Sequence, residues 1–433
     1  MKLMKLLLPL AMAVCSLTLN AADFSTVQEA RERDPDAVLD YLKSKRAVTL
    51  AEKGGNLSIS GDVKAEWDYM HARSGGMIMR GSKSARRKSC KKPLYTPFAT
   101  SEFSVETNLM FDYKTDRTWT AIQFQFDNPM GIRKASCLNE KKGRIKDRRK
   151  NQLFGSGEQD NIVMRKAYFG YNFLDQGTSR LDLEVGHRRL YDVFDSEVQF
   201  YNFFDGATLK YAHSFEGVTD LTAKAAAFVI DMNNNHYGYV GEVGFLNIAD
   251  TGVDLKYSAI DWQHHGANRY GKKHAWGNEF LVSQYTAAYT LPADWFRYKT
   301  KIYGAYLHNS KARKHKHFHN EKAANAWYAG VRVGEVRKKG DWACEANYQW
   351  VQAQSIPETD VSGIKRDNPM GISMYDKSWG GFANYKGYKL DVFYAFTDNL
   401  TMNTSFEKVR EVSRHIGDKH RSYQFQISAI YAF

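Results

Sequence analysis

Four histidines lie close together in this 433-residue chain: His308, His315, His317 and His319, with Lys314 and Lys316 among them. Alternate histidines on an extended segment have the spacing to ligate Zn²⁺ or Cu²⁺. No acid or cysteine at suitable spacing completes a set, and the lysines repel a cation. No metal is expected, and the segment reads as a solvated loop, as do His264, His265 and His274. His213 beside Ser214, and His187 near Asp192, are pairings that any chain of this size offers by chance. No G-x-S-x-G or phosphate-loop motif accompanies them. Neither an enzyme nor a cofactor is expected. The chemistry lies instead in charges set two apart: Asp62, Lys64, Glu66 and Asp68 would share one face of an extended chain.

The element that must position those charges is a strand. Between Asn56 and Met70, Leu57, Ile59, Gly61, Val63, Ala65, Trp67 and Tyr69 alternate with Ser58, Ser60 and the four charges. Ordinary strands run to about 5 or 6 residues, whereas one crossing a bilayer at a tilt takes about 9 to 11. The alternation recurs around Glu106, Asp182 and Glu184, Arg332 and Glu345. It ends with Tyr423, Phe425, Ile427, Ala429, Tyr431 and Phe433 on one face. Sixteen strands are predicted: 56–70, 101–113, 118–127, 161–173, 180–191, 202–213, 219–230, 238–247, 252–262, 278–289, 297–308, 326–336, 341–352, 381–396, 400–410 and 421–433. Short links (114–117 and 174–179 are typical) alternate with generally longer connections, the longest at 71–100, 128–160 and 353–380. That alternation is the topology of a closed antiparallel barrel whose two rims face different compartments.

Composition narrows the setting. The chain is 43% hydrophobic and 14% aromatic, yet 25% charged. Past residue 20 it has no apolar run of about 18 residues, which excludes a helical membrane protein. An apolar face on every strand would drive aggregation in water, and no helical layer is present to cover it. The opposite face carries Asp62, Lys64, Glu66, Asp68, Glu106, Asp182, Glu184, Arg188, Lys210, Lys256, Lys299, Lys301, Arg332 and Glu345. So many charges cannot fill a dry core, but they can line water. The expected fold is all-β: a transmembrane antiparallel barrel with lipid outside and a wet lumen, its backbone groups satisfied by closure. Aromatics towards strand ends, such as Trp67, Tyr113, Tyr171 and Trp342, fit interfacial girdles.

Three segments follow. Residues 1–22 read as a cleaved export signal: Lys2 and Lys5, the apolar stretch Leu6 to Val14, and Asn20-Ala21-Ala22. Residues 23–55 form a short helical segment, with Ser25 and Gln28 at capping-box spacing and Asp34-Pro35 opening a second helix. It is either a periplasmic appendage or a partial plug. Residues 56–433 form the barrel. Of the three cysteines left after the signal, Cys90 and Cys137 lie in basic, polar stretches and make a candidate disulfide, within one chain or between two. Cys344 falls at an apolar strand position.

The signal, the stretch Glu184-Val185-Gly186-His187-Arg188 with Asp192-Val193-Phe194, the strand Phe204 to Tyr211 and the Tyr431-Ala432-Phe433 ending resemble Gram-negative outer-membrane porins. The stretch Ser60 to Trp67 after a helical segment is similar to porin-like proteins of the chlamydial group. The resemblance implies an outer-membrane channel for passive diffusion of small hydrophilic solutes. It also implies that Phe433 is an assembly signal read by the barrel-assembly machinery. In the general porins of enterobacteria a long loop after the fifth strand folds into the channel. The short Asp192–Tyr201 link argues against that constriction here.

The net charge of +13 is concentrated in loops. Residues 71–100 hold eight basic residues and no acid, Arg86, Arg87, Lys88, Lys91 and Lys92 among them. Three partners suit such a rim: the anionic headgroups of lipopolysaccharide and outer-membrane lipid, anionic solutes funnelled to a pore mouth, or sulfated polysaccharide on a host surface. An exported protein is in the wrong compartment for nucleic acid. A homo-oligomer is left open.

Overall fold

Each predicted strand forms, and each pairs antiparallel with its neighbour in sequence. The computed structural model describes residues 48–52, 55–74, 77–80, 101–130, 162–231, 236–264, 280–292, 298–314, 321–357, 360–364, 383–413 and 420–433. The strands are β1 (Val48–Glu52), β2 (Gly55–Ser74), β3 (Met77–Arg80), β4 (Ser101–Lys114), β5 (Thr118–Met130), β6 (Ile162–Gln176), β7 (Ser179–Arg189), β8 (Phe203–Phe215) and β9 (Thr219–Asp231). They continue with β10 (His236–Ile248), β11 (Val253–His264), β12 (Phe280–Thr290), β13 (Thr300–Asn309), β14 (Asn325–Gly334), β15 (Trp342–Val351), β16 (Tyr385–Ala395), β17 (Leu400–Glu411) and β18 (His420–Ala432).

Sixteen of the eighteen close a ring, with β18 pairing back onto β2 from Ala432↔Asp62 to His420↔Ser74. The other two are short additions to β2. β3 pairs with its far end, and β1 pairs with residues 55–59, where β18 has already ended. The segment 23–55 therefore contains a strand at Val48–Glu52. The helices expected within 25–46 lie outside the described residues, as do the export signal, Cys90, Cys137 and the basic cluster Arg86 to Lys92. Both ends of the ring, Gly55 and Ala432, lie on the rim of the short turns.

The side chains sort into two faces with a period of two. Outward positions keep their apolar groups uncovered: Ile162 is 64% exposed, Phe169 60% and Ile302 50%. Exposure on that scale around a closed sheet suits hydrocarbon, where every paired strand also hides its backbone polar groups. Aromatic contacts gather at two heights. Tyr171–Phe173 and Tyr394–Phe396, both at 4.9 Å between ring centres, stand towards the short-turn rim; Trp67–Phe425, at 6.1 Å, stands towards the other. Cys344 is unpaired on this outer face and half-buried.

Candidate functional site

The inner face of β2 bears Asp62, Lys64, Glu66 and Asp68. Asp62 and Glu106 accept from the Asn108 amide at 3.1 and 2.9 Å, Lys64 pairs with Glu66, and Asp68 accepts from Gln424 at 2.8 Å. On β7, Asp182 meets Arg180 at 2.8 Å, and Glu184 takes both Arg188 and Lys210. Across the ring Lys301 faces Asp254 at 3.6 Å and Arg332 faces Glu345 at 3.4 Å. Lys299 stands apart at the short-turn rim, exposed, 3.7 Å from Glu335. The other thirteen of these side chains share the inner face, held mostly in acid–base couples rather than as free charges.

The structure corrects the expectation about the link after the fifth barrel strand. β7 is that strand, and the connection from Leu190 to Asn202 turns into the lumen despite its shortness. Extended chain covers about 3.3 Å per residue, so even a short link doubled back on itself reaches well inside a barrel. A single 3₁₀ turn, Leu190–Asp192, starts the descent. Leu190, Phe194, Val198 and Phe200 are all at most 1% exposed. They pack on inner-face apolar groups, including Phe204, Phe228, Ile260, Leu307 and Tyr385. The lumen is therefore dry at this level on that side, where the sequence suggested water throughout. The polar tip crosses the bore. The Gln284 amide donates to Asp195 O at 2.8 Å, and the Gln349 amide donates to Glu197 O at 3.2 Å. Gln349 is on β15, eight strands from β7 in a ring of sixteen, so that contact spans the lumen.

At the tip Lys256 bonds Asp195 at 2.7 Å, and the Asp195 amide donates to Glu242 at 3.2 Å, whose other oxygen takes Lys224 at 2.9 Å. Enclosure would raise the Asp195 carboxyl, but Lys256, with Lys301 and Lys224 behind it, holds it well below the usual range. Glu197, two residues on, is raised to about 8 by enclosure and by the carboxylates of Glu345 and Asp195. Acid and base thus meet at the tip, beneath which lies a cavity of about 460 Å³. Asp195, Glu197, Lys256, Lys301, Arg332 and Glu345 line it, and it runs to the short-turn rim at Asn247 and Glu335. Such an arrangement can pass and sort hydrated solutes by size and charge.

Sequence reading missed Asp195, Glu197, Lys224, Glu242 and Gln349 as parts of one site. The available signal was the apolar spacing Leu190, Val193, Phe194, Val198, Phe200 in a link that a surface loop would have kept polar. The chance pairings resolve differently: His187 bonds Asp205 at 2.8 Å, Asp192 faces Lys166 at 3.4 Å, and His213 bonds Ser179 at 2.6 Å. His308 bonds Asn325 at 2.7 Å, while His315, His317 and His319 lie outside the described residues. Among the described residues no three His, Cys, Asp or Glu side chains gather as a metal site.

No protein-family description matches the chain, and no curated protein sequence does. Solved barrels are similar at low identity. OprB of Pseudomonas putida is 10% identical over 87% of this chain and 94% of that one, with a TM-score of 0.49. OmpF of Salmonella typhi is 12% identical over 89% and 100%, with a TM-score of 0.45. A mutant porin of Rh. blastica is 8% identical over 87% and 100%, with a TM-score of 0.40.

Proposed function

We propose that this chain is a Gram-negative outer-membrane porin: a water-filled channel for passive diffusion of small hydrophilic solutes, mildly anion-preferring. The observation that carries the reading is the combination of a closed ring with an apolar outer face and a charged inner face. A hairpin that narrows the bore above an open polar cavity adds the selective element. Residues 1–22 act as the export signal, 23–55 as a periplasmic appendage or a partial plug, and 56–433 as the channel body. The inner-face charges from Asp62 to Glu345 line the path, and Phe433 recruits the assembly machinery.

The anion preference rests on the mouth, since the inner wall is nearly balanced in sign. At about 0.15 M salt the field of the basic loops extends roughly 8 Å, and at about 1 M roughly 3 Å. Purified protein in a planar bilayer should conduct, with a salt-gradient reversal potential favouring anions and fading as salt rises. Replacing Arg86, Arg87, Lys88, Lys91 and Lys92 together should reduce the preference without closing the pore. A protein that inserts but passes no current overturns the channel reading and favours surface attachment through the same loops.

A further inference from the structure

Two bonds join the arms of the hairpin that narrows the lumen, from the Leu190 amide to Asn202 O at 2.9 Å and from the Tyr191 amide to Phe200 O at 3.0 Å, but its return is not held by these alone. Phe200, near its return, has a φ of +76°, a left-handed conformation costly for a bulky side chain. The amides of that return are held by another part of the chain, the connection following β15. The two oxygens of Asp360 accept from the Phe200 and Asn202 amides, each at 3.0 Å, and its carbonyl accepts from the Tyr201 amide at 3.3 Å. Two residues further on, the Ser362 amide donates to Val198 O at 3.1 Å and its hydroxyl donates to Gln199 O at 2.8 Å.

That second segment is itself fixed to the wall. The Ile364 amide and the Tyr385 hydroxyl both donate to the Gln349 carbonyl oxygen at 3.1 Å, the same side chain that reaches Glu197. Gly363 has no room for a side chain: a Cβ there would fall 2.0 Å from the Tyr385 hydroxyl and 2.3 Å from Gln349. At the other end Gln354 bonds the Ala323 amide at 3.0 Å and the Arg313 carbonyl at 2.9 Å, tying the segment to the connection before β14. Asp360 is fully buried.

We propose that Asp360 is a positioning residue for the constriction: it latches the 190–202 hairpin across the lumen and so sets the size of solute that passes. Apolar packing brings the hairpin inward, but the strained return at Phe200 needs three acceptors, and one residue supplies them. The inference rests on the channel reading for its consequence, though the latch itself is structural.

The test compares wild type with Asp360→Ala and Asp360→Asn, the latter keeping one acceptor oxygen and nearly the same shape. In planar bilayers, D360A should show raised single-channel conductance and admit larger polyethylene glycols, with D360N in between. Amide hydrogen exchange in micelles should show lost protection at Phe200 and Asn202 in D360A, partly restored in D360N. If D360A fails to give a heat-modifiable barrel, D360N carries both measurements against wild type. Unchanged protection at those amides overturns the latch. Lost protection with unchanged conductance and polymer cut-off overturns its role in setting solute size. A wild type that conducts nothing overturns the channel reading instead, and the exchange data still decide the latch.

Discussion

The amide of Gly61 donates to the carbonyl of Phe433 at 3.0 Å, and the amide of Phe433 donates back to the carbonyl of Gly61 at 2.9 Å. The last residue of the chain thereby joins the first long strand, and its ring lies over a position on β2 where a side chain would collide. A Cβ on Gly61 would stand 2.7 Å from the Phe433 ring and 2.6 Å from the Asn108 carbonyl. Gly61→Val should destabilise this seam by roughly 1–3 kcal/mol through overpacking. Gly241→Ala is the matched control, because its nearest neighbour would lie 3.9 Å away. Its effect should stay within about 0.5 kcal/mol. Heat-modifiability on gels after refolding reads both.

The bore should respond to pH, in a direction fixed by proton linkage. Burial raises the Asp360 carboxyl to about 7 from an ordinary 3.8, outweighing the three amides that favour its charged form. In a released hairpin that carboxyl would return to the ordinary range, so the latched state binds more protons. Its advantage is complete below about pH 4 and is lost as pH rises through about 7. Glu197, raised to about 8, acts in the same sense. Asp195 acts in the opposite sense, but it stays charged throughout the neutral range. The hairpin's other titratable groups are Tyr191, Asp192 and Tyr201. Conductance should therefore rise between pH 5 and 8.5, and the step should shrink in D360N. A profile that is flat, or that falls with pH, contradicts this assignment.

Charge at the narrowest point should be separable from charge at the mouth. Lys256→Met removes the closest base facing Asp195, so the reversal potential should move towards cations. Asp195→Asn should move it towards anions, and the double variant should return near wild type. Unlike the effect of the basic loops, these shifts should persist at about 1 M salt, because an ion crossing the constriction passes these groups with little solvent between to screen them. Measuring all four proteins at both salt levels distinguishes the two sources.

Cys344 offers a check on which face meets lipid. It stands outward on β15, between Trp342 and Ala346, half-buried among neighbouring side chains. A membrane-impermeant maleimide should leave it unlabelled in intact outer membranes and label it after denaturation. Labelling at the same rate in both states would place this face in water.

Much of this protein was legible in the sequence because a strand has a period of two and its two faces meet different surroundings. The alternation of Leu57 to Tyr69 with Ser58 to Asp68 determined one strand and both of its faces, and its repetition determined sixteen strands within a few residues of their observed ends. The alternation of short and long links determined the antiparallel order. These are local properties: each follows from a residue and its near neighbours, so no knowledge of distant contacts is needed. Contrast between the faces weakened where tertiary structure took over. Ala226 and Phe228 on β9, and Val240 on β10, put apolar groups on the inner face, and the apolar spacing from Leu190 to Phe200 signals a buried link without telling where in the ring it packs. Only the closed ring brings Gln349 opposite β7, and only the folded connection after β15 brings Asp360 to the Phe200 and Asn202 amides, across 160 and 158 positions. A carboxylate that satisfies backbone amides this far away has no periodic signature, because its partners are main-chain groups that every residue possesses. The wall was written in the pattern, whereas the constriction that narrows it was decided by packing.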